Sequence, residues 1–466
     1  MVNGFRSADR QGAGMALRLA MPWMVRILVL VLLCAGKAAA EDAPRWWKGN
    51  LHTHTLWSDG DGFPEMVAGW YRAQDYHFLA LSDHNVLSQG ERWIDVAKVA
   101  AKAKGEPWRG AAHRPTDAFG DYLRRFGPGW VETRPNPMNG EPQVRLKPFD
   151  EYRALSEEAG RFLMIQAEEI THQAKNDRAI HIGAVNLLEH IATQDGATVP
   201  EVLARTLRAV GESAARTGRT VLVHVNHPNY KWGVTAEDLA AVVDEQFFEV
   251  WNGVDGDNDP GDVHHPSTDE LWDIANTLRL AGLGAPPLYA VATDDSHDHQ
   301  GTKSRSPPGR AWVMVRARHL TPESLIRALR AGDFYASTGV ALREVRFDAT
   351  ARRLSLRIEP VRGERYVTRF IGTRRGVDLR GRPRLDAAGK VIETTLDYRT
   401  DGGPQIGEVL CEVKGLDPSY TLTGDELYVR AVVTSTGRPK VPSAESGFKR
   451  AWTQPVGWQV TKPPAK

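Results

Sequence analysis

Up to about residue 340 the chain repeats one pattern, and after that it adopts another. Continuous apolar runs that close on polar residues recur as "HFLALSDH" (77–84), "RFLMIQAEEIT" (161–171), "AIHIGAVNL" (179–187), "TVLVHVNHP" (220–228), "FFEVWNG" (247–253), "LYAVATDDSH" (288–297) and "RAWVMV" (310–315). Runs without polar interruption belong to strands buried on both faces, as in a parallel sheet. Between them lie stretches with helical spacing at 199–217 and 321–332. The second has Thr321 placed as an N-cap and Pro322 at the first helical position. Strand and helix in alternation predict an α/β fold. From residue 342 the segments "LREVRFD", "ERYVTRFIGT" and "DELYVRAVVTSTG" alternate apolar and polar positions. That is the period of antiparallel strands with one buried face, and it predicts a β-sandwich-like accessory module over 342–460. Residues 101–150 are rich in Pro and Gly with no clear strand, and read as a loop inserted over the mouth of a domain spanning 45–340.

The polar residues that close the apolar runs are of particular kinds. In chain order they are His52, His54, Asp59, Asp83, His84, Glu169, His181, His227, Asp295 and His297. His52 and His54 are two apart, as are Asp295 and His297, so each pair faces one way on an extended strand. The C-terminal rim of a (β/α) barrel is where such residues meet. Imidazoles and carboxylates in this number form a ligand set for Zn, Mn or Fe. Lys303 and Arg305 follow the last of them on a loop, where late barrel loops bind phosphate, and are candidate substrate-binding residues.

Composition changes this picture little. Hydrophobic residues are 41% and charged residues 25%, ordinary for a globular protein, and the formal net charge of +1 gives no field that would recruit nucleic acid. No nucleic-acid partner is expected. The N-terminus adds more. Arg18 and Arg26 precede "ILVLVLLCAG", and "KAAAED" follows. A basic region, a short apolar run and a small-residue site predict a signal peptide over 1–40, cleaved after Ala40. The apolar run is shorter than the ~20 residues a membrane span needs. The expected product is exported, periplasmic or secreted, with no stable membrane anchor. It would keep Cys411 alone, and so no internal disulfide. There is no G-x-S-x-G motif and no cysteine placed as a nucleophile.

The motif order "HTHTLWSDG", "SDHN", "EEIT", "NHPN" and "DDSH" resembles the polymerase and histidinol phosphatase (PHP) superfamily of metallohydrolases over residues 46–340. The closing "GDFYASTGV" and the β module resemble its exported, carbaryl-hydrolase-like branch. The resemblance implies a distorted (β/α)7 barrel with two or three divalent metals (Zn, Mn or Fe) on its rim. His52, His54 and Asp295 would hold the first metal, and Glu169 would bridge to a second held by His181 and His227. Asp59, His84 and His297 would hold a third, although many relatives carry His where Asp59 stands. Asp83 would orient an imidazole. Asp295 and Glu169 would be catalytic, with a metal-bridging hydroxide as nucleophile. His224 is read as packed, and Glu249 and Asn252 as either reaching the rim or making structural hydrogen bonds. Trp57, Trp232 and Trp251 are candidates to line an aromatic-tolerant pocket. The expected partner is a small-molecule ester. A phosphoester is favoured, a carboxyl ester, amide or carbamate is the alternative on the same site, and a non-catalytic, metal-stabilised binding protein is the alternative from another class.

Overall fold

The computed structural model describes residues 43–102, 117–175, 177–300, 305–398, 403 and 405–459. The expected signal peptide and Lys303 lie outside them. Residues from Arg45 onward form one compact unit. Among the described residues, no helix is long and apolar enough to cross a membrane.

Seven strands build the first part of the unit: β1 (Arg45–Asn50), β2 (Phe78–Leu81), β3 (Leu163–Gln173), β4 (Ala179–Val185), β5 (Leu222–Val225), β6 (Phe247–Asn252) and β7 (Tyr289–Thr293). They are hydrogen-bonded in that order. Neighbours run parallel except at β4, which is antiparallel to both β3 and β5. The two ends of the array meet at the rim. Thr53 and Ser296 form a parallel bridge, the Asp295 amide donates to the His52 carbonyl at 3.0 Å, and the His54 amide donates to the Ser296 carbonyl at 2.9 Å. The fold is thus the expected α/β type, with a distorted seven-stranded barrel.

Side-chain alternation sets what each strand face meets. Phe78 and Ala80 join Ile165, Ala167, Val185, Leu222, Phe247 and Val291 in one core cluster, while Leu79 and Leu81 turn to Val67, Ala68 and Tyr71 on the helix Pro64–Ala73. Outside the β4–β7 wall, Ile182, Val225, Phe248 and Ala290 pack with Val202, Leu203 and Val210 of the helix Val199–Thr217. That helix starts where the Thr198 hydroxyl accepts the Glu201 amide, and it ends at Gly218 in the left-handed conformation, φ 67°. Thr321 caps the helix Pro322–Arg330 in the same way.

The sheet continues past β1 through β8 (Trp312–Ala317) and β9 (Phe334–Ser337) into the strands Arg450–Thr453, Glu426–Ser435, Tyr366–Arg374 and Glu408–Lys414. A separate three-stranded sheet, Leu342–Asp348, Arg353–Ile358 and Ser419–Thr421, shares a core with it through Leu354, Leu356, Phe370, Val429 and Ala431.

The 101–150 segment differs from expectation. Pro142–Leu146 is the central strand of a small antiparallel sheet, pairing with Arg92–Asp95 on one side and Thr133–Pro135 on the other, and Ala118–Phe126 is helical. These strands carry too few alternating positions, with prolines at their ends, to announce themselves. The described part of the segment packs on the loop after His54. Tyr122 stacks on Phe63 at 3.8 Å, and Trp57 Nε1 donates to the Lys147 carbonyl. It clamps that loop and lines no part of the rim cavity described below.

Candidate metal centre

The period-2 alternation that buries Ile165 and Ala167 inside the barrel carries on to Glu169, and sends Glu168 the other way. Glu168 Oε1 accepts the Ile191 amide at 2.7 Å and its Oε2 meets His190 at 2.6 Å, while Glu169 faces the imidazoles. Asp294 and Asp295 part in the same manner. Asp294 accepts the Gly309, Arg310 and Ala311 amides and the Tyr71 hydroxyl, whereas Asp295 turns to the rim. His181 lies near the start of its strand and still reaches the rim, because β4 runs in reverse.

The rim therefore gathers His52, His54, Asp59, His84, Glu169, His181, His227, Asp295 and His297. Among the described residues, four overlapping groups have mutually close ligand atoms: His54, Asp59, His84 and His297; His52, His227 and Asp295; His52, His54 and Glu169; and His84, Glu169 and His181. His52 Nε2 is 3.1 Å from His54 Nε2, 3.2 Å from Asp295 Oδ1 and 3.3 Å from Glu169 Oε1. His54 Nε2 is 3.0 Å from Asp295 Oδ1. His181 Nδ1 and His227 Nε2 stand 3.1 and 3.2 Å from Glu169 Oε1, and His84 Nδ1 stands 2.6 Å from Glu169 Oε2. Asp59 lies 3.3 Å from His297, 3.6 Å from His84 and 3.7 Å from His54. His84 thus touches both Asp59 and the Glu169 group.

Two oxygens in this cluster are informative. Asp295 Oδ1 and Glu169 Oε2 are buried and have no hydrogen bond, although ring nitrogens lie close. The nitrogens are near but not aligned to donate. Atoms bound at about 2.0–2.2 Å to one ion stand about 3.0–3.5 Å apart, which is the spacing here. The donor set of imidazole nitrogen and carboxylate oxygen fits Zn, Mn or Fe.

Electrostatics follow from burial and neighbours. Burial alone would raise Glu169, but His84, His52 and His181 hold its carboxyl well below the usual range. Asp295 is likewise depressed against burial, by His52, His54 and His297. Burial, with His297 and His84 beside it, lowers His54 to about 3. Against the same burial, Glu169 and Asp59 raise His84 to about 11. Two of these residues have left-handed backbones, His227 with φ 26° and Asp295 with φ 46°. Such strain persists only where the surroundings impose it. Here the His227 amide is held by Glu249 Oε2 at 2.8 Å, and the Asp295 amide by the His52 carbonyl.

Several supporting residues differ from expectation. Asp83 accepts the Thr55 amide and hydroxyl and the Ser58 hydroxyl, and reaches an imidazole only through Ser58, 3.4 Å from His54 Nδ1. A carboxylate that orients an imidazole directly is Glu249, fully buried, 2.8 Å from His52 Nδ1 and bonded to Thr293 and Asn252, while His297 Nδ1 meets the Asp295 carbonyl at 2.8 Å and His84 Nδ1 meets Thr171 Oγ1 at 2.5 Å. The Glu249 contact turns the His52 Nε2 lone pair to the cluster. Asn226 donates to Glu169 Oε1 at 2.7 Å, and neither it nor Asp257 stood out in the sequence. The alternation Leu222, His224, Asn226 on the barrel's inner face was the available signal. His224 is packed: its ring fills the space where a Cβ on Gly183 would sit, 2.4 Å away, and neither ring nitrogen makes a hydrogen bond, Nδ1 standing 4.0 Å from Glu249 Oε1.

Above the cluster opens a cavity of about 390 Å³, walled by Asp59, His84, His181, His227, Asp295 and His297 together with Tyr230, Val254, Asp257, Asp298, Arg305 and Ser306. The aromatic wall is Tyr230, 5.3 Å from the His227 ring. Trp57 and Trp251 are instead core residues, and Trp232 stacks on His265 at 3.9 Å.

No family model and no curated protein matches the chain. Among solved structures it is similar to a two-domain protein from Bacteroides vulgatus that contains a predicted PHP-like metal-dependent phosphoesterase. The identity is 13%, 89% of this chain and 96% of that one are covered, and the TM-score is 0.39. It is also similar to a protein from Bifidobacterium adolescentis provisionally named a metal-dependent phosphoesterase, at 13% identity, 55% and 90% coverage and a TM-score of 0.27. Likenesses at these scores carry no weight for chemistry, and neither name points to the carbaryl-hydrolase-like branch.

Proposed function

We propose that the rim cluster is the active site of a metal-dependent hydrolase of the PHP type, acting on phosphoesters. One observation carries the reading: two buried carboxylate oxygens, Asp295 Oδ1 and Glu169 Oε2, without hydrogen bonds, ringed by imidazole nitrogens at 2.6–3.6 Å. His52, His54, Asp295 and Glu169 would hold one divalent metal; Glu169, His181 and His227 a second; and Asp59, His84 and His297 a third. When bound, such metals supply Lewis-acid charge for phosphoryl oxygens and acidify water toward neutral pH. The chain's own residues do the rest. Glu249 fixes the His52 tautomer, and Asn226 fixes the Glu169 carboxylate. Arg305, anchored by its own Nε on the Asp255 carbonyl at 3.4 Å, offers a guanidinium at the cavity wall for the phosphoryl group. Lys303, two residues earlier, is assigned the same role from its sequence position. The N-terminal pattern supports export to the periplasm or beyond.

The test is elemental analysis of the mature protein and of His52→Ala, with turnover of bis-p-nitrophenyl phosphate and p-nitrophenyl acetate. Two or three equivalents of metal, lost in the variant together with phosphodiester turnover, are expected. Less than one equivalent, unchanged by the substitution after metal is supplied, would overturn the reading. Metal with acetate turnover alone would move the activity to carboxyl esters.

A further inference from the structure

Of the two wall acids that the metal reading does not use, Asp298 accepts the Ser306 amide at 2.8 Å, and the other is Asp257. Asp257 lines the cavity with His227 and Asp295 but belongs to none of the close ligand groups. It is 2% exposed, and its Oδ2 has no hydrogen bond. It is also held firmly. The amides on either side of it, Gly256 and Asn258, both donate to Glu445 Oε1 of the β module, at 3.0 and 3.3 Å. Asp255 accepts the Ala444 amide at 2.6 Å and Arg310 Nη2 at 3.1 Å. From the other side, Asn229 Nδ2 donates to the Asn258 carbonyl at 3.0 Å. A loop fixed from two directions presents a preorganised side chain, as recognition requires.

The rest of the wall narrows what is recognised. Pockets for apolar ligands are mostly apolar. Among the described residues, Val254 and Tyr230 are the only apolar or aromatic members besides the imidazoles, and the remainder are acids, Arg305 and Ser306. Arg305 suits the phosphoryl group, which leaves Asp257 as an acceptor for a different part of the substrate.

Resting on the phosphoesterase reading, we propose that Asp257 is a specificity-determining residue, and that the substrate is a phosphoester whose alcohol portion carries a hydrogen-bond donor. A hydroxyl and an ammonium share that chemistry. A site built to bond such a donor rejects the analogue lacking it, because its own polar group is then left unpaired.

The experiment compares kcat and KM of wild type, Asp257→Asn and Asp257→Ala on glycerol 2-phosphate, phosphoethanolamine and phenyl phosphate, each also as its p-nitrophenyl diester. Metal content and melting temperature are checked in parallel, and the near-isosteric Asn variant guards against a folding defect. The donor-bearing esters should lose at least tenfold more kcat/KM than the phenyl esters, mostly through KM, and glycerol against ethanolamine then tells hydroxyl from ammonium. Equal losses on all esters, or none, would overturn the role of Asp257 while leaving the phosphoesterase reading in place. A wild-type protein that turns over no phosphoester at all would overturn both.

Discussion

Glu245 and Glu249 sit four residues apart at opposite ends of one stretch of chain, and both are fully buried. At the underside of the barrel, burial pushes Glu245 up to about 8. Its Oε1 accepts the Gln246 and Phe247 amides at 2.8 Å, and its Oε2 has no partner. At the rim, Glu249 is pulled down to about 2 against the same burial, by His52, His224 and His227. Burial is therefore not what distinguishes the ends of the barrel. Imidazoles are. A carboxylate that stays ionised in the interior marks the end where positive charge is gathered, and that is the end with the cavity.

This comparison breaks most sharply at Glu169. Glu169→Gln removes one negative charge from the centre of the imidazole ring, and phosphodiester turnover should fall by roughly a thousandfold or more. Glu168→Gln, one residue away on the outer face, should leave bound metal at the wild-type level. Elemental analysis and turnover of the pair read this directly. At the underside, the effect is on stability. Glu245's folded pKa lies above the ordinary carboxylate value of 4.5, so its contribution is fully present below about pH 4.5 and is lost as pH rises through about 8. Glu245→Gln should thus match wild type in denaturant melts at pH 4 and exceed it by roughly 5 kcal/mol at pH 9. The smallest effect belongs to Glu249→Gln. It keeps the fold but weakens the hold on His52, and metal affinity by competition with a chelator should drop about 10- to 100-fold. A Glu249 variant with unaltered affinity would remove the distinction between the two ends.

Much of the framework was legible because it is periodic. The apolar runs locate β2 to β7, and alternation along them separates Glu169 from Glu168 and Asp295 from Asp294 once the motifs are recognised. The helix at 199–217 carries its own start and stop in Thr198 and Gly218. What stayed hidden lacks a local pattern. The reversal of β4 is a matter of topology, and nothing in "AIHIGAVNL" encodes direction. Asn226 and Asp257 draw no reading in the sequence, and Glu249 reads there as either reaching the rim or making a structural hydrogen bond, because their partners lie far along the chain, such as His52 for Glu249 and Glu445 for the Asp257 loop. The short strands around Pro135 and Pro142 are held by pairing rather than by propensity. Tryptophans near the motifs drew attention for their size, yet the cavity uses Tyr230.

The bridge between Thr53 and Ser296 joins the segments that follow the first and the last barrel strands. His52 and Asp295 flank it, with almost the whole barrel sequence between them. Any ion held by both would act as a cross-link between distant points of one chain. Closing a loop of that length removes denatured-state entropy worth about 5 kcal/mol, on the scale of a long-range disulfide. Among the described residues Cys411 is the one cysteine, and it is free, so no disulfide there supplies such a link. The seam that aligns the chemistry would then also be the place where the molecule is fastened shut, and chelation would loosen the barrel at the point where it was last joined.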